Sequence, residues 1–350
     1  MDTSAPAPHT PHPSPAAVLS GLIRGYWLTQ AVYVAAKLGI ADLLQDGPQR
    51  PDALAQAAGA HPGALTSLLR LLASQGVFAE DAHGQFALTP PATLLQTGAP
   101  GALRLQALSP QLWWRSVGDL LYSVQTGQPA YDRLYGMAFH DAMERDPEAA
   151  ELYNALLAAG TAQDAAALAA AYDFSGARTV IDVGGGYGGF LAAILKANPH
   201  LQGLLFDRPA VIAGARRVME AEGLATRCEC VGGDFFAAVP SGGDLYLLKW
   251  VLLGWDDAQA RRLLQNCHRA MSAQAKLLLV EPLIPPGNTP HPAKFSDVNM
   301  WVNYGGRART EAEYGALLAA TGFTMLHTIP TASAQQYGVM EAQRTTSLSG

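Results

Sequence analysis

A run of glycines near the middle of the chain gives the first indication of chemistry. The apolar, β-branched residues 179–183 lead into Gly184, Gly186 and Gly188, and an apolar helical pattern follows. Strand, glycine loop and helix in this order begin a nucleotide-binding βαβ unit, because glycines let the backbone approach a ligand closely. The spacing fits both GxGxxG and GxGxG, so the glycines alone do not distinguish a nicotinamide from another adenosyl cofactor.

Acids at the ends of neighbouring predicted strands narrow that choice. Asp182, just before the loop, would repel a pyrophosphate but suits the cationic tail of S-adenosylmethionine. Asp207 ends the next strand, 21 residues beyond Gly186, where a carboxylate can accept hydrogen bonds from both ribose hydroxyls. After a third strand, Asp234 can bond an adenine amino group while Phe235 covers the ring face. A lone strand-end Asp is equally typical of a helix cap or a turn, but these residues in this order indicate an adenosyl cofactor.

The segments that must position these residues alternate between strands and helices. Further strands are predicted at 244–253, 276–282, 324–330 and 337–343. A capping box at 310–313 begins a helix expected to extend to residue 321. Alternating strands and helices form parallel sheets covered by helices on both faces. We therefore predict an α/β fold over residues 171–350, with a doubly wound, seven-stranded, Rossmann-like sheet.

The N-terminal part of the chain has a different pattern. Residues 1–15 are rich in proline and contain no apolar signal-peptide core, so a disordered tail is expected. A mostly helical, winged-helix domain is predicted over residues 16–108, from apolar residues at helical spacing over 16–44, two short helices at 51–58 and 62–75, and a hairpin around 81–84. Asp52 is expected to cap the first of the short helices.

This predicted winged helix is poorly suited to DNA. Its 62–75 helix carries Arg70 as its only cation, whereas a recognition helix needs side chains that reach phosphates and base edges. A DNA-binding regulator is therefore disfavoured. Surplus apolar surface in such a domain usually meets a partner, so we expect a homodimer through this domain.

The composition agrees with a small-molecule enzyme. The chain of 350 residues has 23 Lys and Arg against 29 Asp and Glu, a net charge of −6, and is 49% hydrophobic. A large core is possible, while nucleic acids and anionic membranes would require a basic surface. No stretch reaches the ~18 apolar residues of a membrane span. The cysteines Cys228, Cys230 and Cys267 predict buried thiols, no disulfide framework, no metal site and a cytoplasmic location.

Taken together, the motifs resemble the two-domain S-adenosylmethionine-dependent O-methyltransferases of the caffeic acid, acetylserotonin and bacterial polyketide-tailoring type, over residues 16–345. The signatures are DVGGG at 182–186, GDF at 233–235, LKW at 248–250, WDD at 255–257, VEP at 280–282 and GGRART at 305–310. The resemblance implies S-adenosylmethionine as cofactor, a small-molecule acceptor and an N-terminal dimerisation domain. It also implies a set of cofactor-binding residues, namely Gly184, Gly186, Gly188, Asp207, Asp234, Phe235 and Lys249.

Two departures from the family pattern concern catalysis. Many members carry a His-Asp pair, with the His as general base, where this chain has Leu253 and Gly254. The acid that supports that His is replaced by Ala308, so only Glu281 of the constellation remains. A general base typically supplies ~10²–10⁴-fold in rate, about 3–5 kcal/mol, whereas positioning can supply ~7–11 kcal/mol.

Because positioning is the larger effect, we expect O- or N-methylation of a small aromatic or heteroaromatic secondary metabolite whose nucleophile is already competent, such as an acidic hydroxyl or a ring nitrogen. The alternative is a cofactor-binding relative that catalyses hydroxylation, decarboxylation or a pericyclic reaction. A nicotinamide oxidoreductase is disfavoured by Asp182 and by the pair Asp234 and Phe235.

Candidates for the acceptor side of the site come from the helical linker at 109–170 and from the region after residue 290. Glu281, His140 and His291 are the residues that could stand in for the missing base. A pocket for a flat substrate needs apolar walls and a few polar groups. We expect that wall to contain Phe139, Tyr153, Asn154, Met300, Trp301, Asn303 and Tyr304.

Overall fold

The computed structural model describes residues 14–331 and 336–345, apart from the side chains of residues 163 and 164. The chain divides into two compact units, one up to residue 111 and one from residue 112 onwards. Residues 1–13 of the expected disordered tail lie outside the described residues. Ser14 and Pro15, also assigned to that tail, instead begin the first helix, where the Ser14 side chain accepts a hydrogen bond from the Ala17 amide.

The first unit consists of short helices and one hairpin. Its elements are α1 (Pro15–Lys37), α2 (Ile40–Leu43), α3 (Pro51–Ala58), α4 (Pro62–Ser74), β1 (Phe78–Glu80), β2 (Phe86–Leu88), α5 (Pro90–Thr93) and α6 (Leu103–Leu108). The predicted hairpin is confirmed, with β1 antiparallel to β2 and the Asp81 carboxylate accepting hydrogen bonds from two amides of the turn.

The helical pattern over 16–44 forms two helices that are divided at Gly39, whose φ of 65° lies in the left-handed region that favours glycine. One local prediction in this unit is wrong. Asp52 is not the cap of α3, because Pro51 occupies the first helical position and Arg50 precedes it as the capping residue. Proline at that position needs no amide hydrogen-bond partner, so the helix begins two residues earlier than the Asp52 cap requires.

The first unit leaves one face of α1 uncovered. The hydrophobic core of the first unit contains Ile40, Leu54 and Leu69. In contrast, Leu22 is 74% and Trp27 is 60% exposed on α1. An apolar helix face of this kind is the surface that a partner subunit covers.

The second unit begins with five helices, and the unit boundary falls within the first of them. They are α7 (Pro110–Gly118), α8 (Leu120–Thr126), α9 (Ala130–Tyr135), α10 (Phe139–Arg145) and α11 (Pro147–Ala171). The sheet and its flanking helices follow: β3 (Thr179–Val183), α12 (Gly189–Ala197), β4 (Gln202–Asp207), α13 (Pro209–Ala221), β5 (Cys228–Gly232), β6 (Leu245–Lys249), α14 (Asp257–Ala270), β7 (Lys276–Pro282), α15 (Pro292–Asn303), α16 (Glu311–Ala319), β8 (Phe323–Pro330) and β9 (Tyr337–Arg344).

The predicted seven-stranded sheet is confirmed. Its strand order is β5-β4-β3-β6-β7-β9-β8, in which the first five strands are parallel while β9 runs antiparallel to both β7 and β8. The chain order reverses at β3, beside β6, which is the place where open α/β sheets bind ligands. The central strands β3, β6 and β7 are buried on both faces, and Cys228, Cys230 and Cys267 are buried free thiols as expected.

The strand predicted over 244–253 ends four residues early, at Lys249. Trp250 has a φ of 58°, and residues Leu252–Gly254 form a 3-10 turn. A left-handed conformation at an aromatic residue is strained, and such strain is concentrated at functional sites. No described helix is long and apolar enough to cross a bilayer. Within the described residues, no group of three or more His, Cys, Asp or Glu side chains is arranged to hold a metal ion.

Candidate functional site

The loop between β3 and α12 requires glycine at its two ends, where side chains crowd the backbone, and it is open at its centre. Gly184, Gly186 and Gly188 all have positive φ, at 74°, 59° and 81°. A Cβ at Gly184 would lie 2.9 Å from the Val251 side chain, and one at Gly188 would lie 2.3 Å from Met219 Cε. A Cβ at Gly186 would meet no heavy atom within 4 Å. The loop therefore leaves space beside Gly186 for a ligand to approach the backbone.

Asp207 ties the centre of this loop to the end of β4. Its Oδ2 accepts a hydrogen bond from the Gly186 amide at 2.8 Å, and its Oδ1 accepts one from the Arg208 amide at 2.7 Å. Burial raises the pKa of Asp207, while these two amides and the Arg208 charge oppose the shift. The carboxylate is held beside the open part of the loop, where the predicted ribose contact requires it.

Asp234 and Phe235 stand at the end of β5. The Asp234 Oδ1 accepts a hydrogen bond from the Phe236 amide at 2.8 Å, which orders this turn while the residue stays exposed. The Phe235 ring lies 3.6 Å from the Cβ position of Gly184 and 5.9 Å, between centroids, from Trp255. The structure thus brings the predicted aromatic cover to the edge of the glycine loop.

Lys249 lies at the end of β6, and its side chain extends toward α11 and α12. Its Nζ donates a hydrogen bond to Thr161 Oγ1 at 3.0 Å. The same Nζ lies 5.9 Å from the centroids of Phe190 and Trp250 and 6.0 Å from that of Tyr337, which is within cation–π range. The Thr161 hydroxyl and three aromatic rings therefore surround this ammonium group, which the family resemblance assigns to cofactor binding.

Asp182 is a buried carboxylate directly beneath the loop. The residue is 1% exposed, and neither carboxylate oxygen has a hydrogen-bond partner within the part of the chain that the structure describes. Burial raises its pKa to about 7, the Lys249 charge opposes this, and the Asp207 charge adds to it. A Cβ at Gly185 would lie 2.6 Å from Asp182 Oδ2. Unsatisfied buried acceptors next to an open loop fit a ligand with a cationic end.

On the acceptor side, aromatic side chains form one cluster. The Phe139 centroid lies 5.0 Å from that of Tyr153 and 4.8 Å from that of Tyr304, so three of the predicted wall residues meet. Trp113 and Tyr131 join them at 6.2 and 5.1 Å from Phe139. Helical spacing alone does not tell which face Trp113 and Tyr131 share, so the sequence does not predict them in the wall. Burial raises the pKa of both Tyr153 and Tyr304, which keeps their phenols protonated.

His140 lies at the edge of this cluster. Its ring centroid is 5.6 Å from Tyr304 and 6.3 Å from Trp255. Burial, and then the Arg208 charge, lower the pKa of His140 to about 4, against the opposing Asp141 charge. The imidazole is therefore neutral at pH 7. His291, in contrast, caps α15, and its Nδ1 accepts a hydrogen bond from the Ala293 amide.

The other predicted wall residues have different surroundings. Asn154 donates a hydrogen bond from Nδ2 to the Tyr187 hydroxyl at 3.0 Å, which links α11 to the glycine loop. Asn303 is fully buried; its Oδ1 accepts from Ser116 Oγ at 2.5 Å, and its Nδ2 donates to the Asn299 carbonyl and side chain. Its amide is thus occupied by contacts that anchor α15. Met300 is buried, while Trp301 is 37% exposed.

The segment after β6, which contains Leu253 and Gly254, is closely packed. Leu253 is 2% exposed and Ala308 is fully buried. A Cβ at Gly306 would lie 2.3 Å from both the Gly254 carbonyl carbon and the Leu253 oxygen. Only glycine at 306 allows the backbones to approach so closely, and this contact fixes the position of the turn.

Glu281 holds the same turn from beneath. Its Oε1 accepts hydrogen bonds from the Val251 amide at 3.0 Å and the Leu252 amide at 2.8 Å, while its Oε2 has no partner among the described residues. Burial raises the pKa of this carboxyl to about 7, and the two amides and the charges of Arg309 and Lys249 oppose the shift. These contacts make Glu281 a positioning residue for the turn.

Arg309 is a functional residue whose role the sequence analysis missed. It is 1% exposed, and its guanidinium donates to Asp257 Oδ1 at 2.7 and 3.1 Å, to the Leu252 carbonyl at 3.1 Å and to the Trp255 carbonyl at 3.0 Å. The signal was present in the motif GGRART, but the motif does not show what its second arginine contacts. Arg309 and Glu281 together fix the turn that carries Leu253.

Comparison with known proteins gives matches over both units. The O-methyltransferase domain family matches residues 114–324, and the O-methyltransferase dimerisation domain family matches residues 20–98. A phenazine O-methyltransferase of Lysobacter antibioticus is 44% identical over 90% of this chain and 93% of its own. A mitomycin biosynthesis 6-O-methyltransferase of Streptomyces lavendulae is 40% identical over 89% and 90%. A phenazine-1-carboxylate N-methyltransferase of Pseudomonas aeruginosa is 32% identical over 87% and 90%.

Solved structures give the same result. The mitomycin 7-O-methyltransferase superposes with a TM-score of 0.90 at 37% identity, covering 94% of this chain and 97% of its own. An O-methyltransferase from neocarzinostatin biosynthesis, solved with S-adenosylmethionine and 2-hydroxy-5-methyl naphthoic acid, superposes with a TM-score of 0.82 at 32% identity, covering 91% and 96%.

Proposed function

Because this chain belongs to the S-adenosylmethionine-dependent O-methyltransferase family, we propose that it methylates a hydroxyl or ring nitrogen of a flat aromatic secondary metabolite, chiefly by positioning the acceptor. The cofactor supplies an electrophilic methyl group on a sulfonium when bound. The observation that carries the proposal is the bond from Asn154 to Tyr187, which joins the helix of the aromatic cluster to the glycine loop. The relatives that act on phenazines and mitomycin favour methylation over the non-methyl alternatives.

The residues of the cofactor side have distinct tasks in this proposal. Gly186 leaves the space in which the adenosyl group approaches the backbone. Asp207, which two backbone amides hold in place, accepts hydrogen bonds from the ribose hydroxyls, and Phe235 covers the adenine ring. Asp182, which is buried and has no hydrogen-bond partner among the described residues, faces the cationic sulfonium end of the cofactor.

The chemical character of the cluster selects the acceptor. Phe139, Tyr153 and Tyr304 give a wall of aromatic rings in edge-to-face and tilted contact, and an aromatic wall favours a flat aromatic ligand. The two phenols stay protonated and the His140 imidazole stays neutral at pH 7, so the polar groups of the wall carry no charge. A heteroaromatic or quinone-like acceptor, with ring nitrogens or carbonyl oxygens that accept hydrogen bonds, suits this wall.

A strong general base is not part of the proposed reaction. Leu253 occupies the family's base position and is buried, and Glu281 is held by the amides of the turn. His140 has a pKa of about 4, whereas a base acts best with a pKa near the working pH. We assign His140 to the wall of the acceptor site. Positioning, at ~7–11 kcal/mol, outweighs the ~3–5 kcal/mol of a base, provided that the nucleophile is already competent.

The assembly and location follow from other residues. The dimerisation domain, together with the exposed apolar face of α1, forms a homodimer. All three cysteines are buried free thiols, and free thiols persist in reducing compartments. We therefore assign the enzyme to the cytoplasm.

Mass spectrometry tests the proposed reaction. The purified protein is incubated with methyl-labelled cofactor and a panel of hydroxylated phenazines, hydroxyquinones and nitrogen heterocycles, with the Asp207→Ala variant as control. We expect a labelled product heavier by one CH₂ with the native protein only. Tight cofactor binding with no labelled product from any acceptor would reject methylation and favour a different reaction.

A further inference from the structure

An ion pair joins the cofactor side of the site to the helix that carries part of the acceptor wall. Arg208 Nη1 lies 2.7 Å from Glu144 Oε1. Arg208 directly follows Asp207 and donates its own amide to the Asp207 carboxylate. Glu144 lies on α10, one helical turn after His140. The guanidinium therefore spans from the predicted ribose-binding acid to the acceptor wall.

Helix α10 depends on such contacts for its position. It has seven residues, and its N-terminus has no side-chain cap. A helix of this length has no stability of its own, so tertiary contacts decide where it lies. One face carries Phe139 and Met143 into the aromatic cluster. Glu144 extends to Arg208, so the ion pair is its direct link to the strand that holds the cofactor residue.

The charge of Arg208 acts on both sides. It lowers the pKa of Asp207 on the cofactor side and of His140 and Tyr153 on the acceptor side, although burial has the larger effect on each. The paired side chains are 41% and 50% exposed. A half-exposed pair of this kind is worth little free energy, so it can open and close during turnover.

We propose that the ion pair between Arg208 and Glu144 is a latch that holds α10, and with it the acceptor wall, against the adenosyl site. The latch deepens the proposed methyltransferase function and rests on it. When closed it sets the distance between acceptor and methyl group; when open it lets the acceptor enter and the product leave. Arg208 and Glu144 are thus positioning residues, and loss of the Glu144 carboxylate changes acceptor binding and leaves cofactor binding intact.

Charge exchange tests this latch. Glu144→Arg, Arg208→Glu and the double exchange are compared for acceptor KM, kcat and cofactor Kd. We expect each single exchange, which places like charges together, to raise the acceptor KM about 5-fold or more, and the double exchange to return it to within about 2-fold of the native value. The matched control is Glu222→Gln, which removes a second exposed pair, with Lys196 on α12; its acceptor KM should not change.

Salt gives a readout that a purely structural role would not move. With the milder Glu144→Gln variant, which keeps the shape of the side chain, we expect cofactor Kd within 2-fold of the native value. Added NaCl should raise the acceptor KM of the native enzyme and leave that of Glu144→Gln unchanged, because salt screens exposed charges. Equal salt dependence in both proteins, or no rescue by the double exchange, would overturn the latch. Absence of methylated product in the native protein would instead overturn the proposed function.

Discussion

Arg309 is the side chain on which the turn after β6 most depends, and Arg309→Ala is the change that tests this. Its guanidinium is buried and donates to the carbonyls of Leu252 and Trp255 and to the carboxylate of Asp257. A further bond runs to the Arg307 carbonyl, so alanine would leave three carbonyls without these donors and one carboxylate without its counter-charge. The turn that carries Leu253 would lose the hydrogen bonds by which Arg309 holds it.

The expected magnitude follows from those contacts. Removing one member of a buried charge pair costs ~3–5 kcal/mol, and a hydrogen bond to a charged group contributes ~1.5–3 kcal/mol. Asp257 is 49% exposed, so water replaces part of its loss. We therefore expect Arg309→Ala to lower the free energy of unfolding by about 3–5 kcal/mol. The matched control is Arg307→Ala, whose partner Glu313 is half-exposed; its cost should stay below ~1 kcal/mol.

Urea unfolding of both variants, followed by tryptophan fluorescence, measures these costs. The kcat with an acceptor that the native enzyme methylates measures the effect on the site. We expect Arg309→Ala to lose both stability and kcat, and Arg307→Ala to lose little of either. Equal, small costs for the two variants would refute the view that Arg309 fixes the turn.

Three further outcomes are expected. Leu253→His places an imidazole where the family resemblance predicts a general base, so kcat/KM should rise ~10²-fold for a phenol of pKa about 10 and stay unchanged for an acceptor already ionised at the assay pH. An equal change for both acceptors would contradict a base effect. Burial raises the pKa of Glu281 from 4.5 to about 7. The protonated carboxyl therefore stabilises the folded state fully below pH 4.5, and this contribution is lost as the pH rises through 7. Relative to Glu281→Gln, the native protein should therefore lose on the order of 3 kcal/mol of unfolding free energy across that window, measured by urea unfolding; parallel curves would contradict the raised pKa. Gly188→Ala should destabilise the fold by ~2 kcal/mol or more, because its Cβ would lie 2.3 Å from Met219. Gly186→Ala, whose Cβ would meet no atom within 4 Å, should weaken cofactor binding at a smaller cost in stability. Calorimetry measures both the unfolding and the cofactor binding of the two variants.

Local sequence patterns were sufficient to predict the seven-stranded sheet and the glycine loop. Strand and helix periods are properties of short segments, and the alternation of β3, α12 and β4 leaves little choice of topology. The contact between Asp207 and Gly186 could be anticipated, because parallel strands bring their carboxyl ends to one edge of the sheet.

Other features depend on tertiary contacts that no local pattern reports. The end of β6 at Lys249 follows from the strained Trp250 and from the amides that Glu281 binds, 30 residues away in sequence. Asn303 was predicted in the acceptor wall, but its amide is occupied by Ser116, 187 residues away. Sequence spacing identifies which residues can do chemistry, and long-range packing decides which of them face the site.

Positioning of an already competent nucleophile is the central claim, and the pH dependence of kcat/KM with two acceptors tests it most directly. The acceptors share one flat ring system and differ in hydroxyl pKa by about two units. Without a protein base, only the ionised acceptor reacts, so kcat/KM should rise tenfold per pH unit up to the pKa of each acceptor and then level off. We expect the two inflections to differ by the same two units. One shared inflection, independent of the acceptor, would show that a group of the enzyme removes the proton.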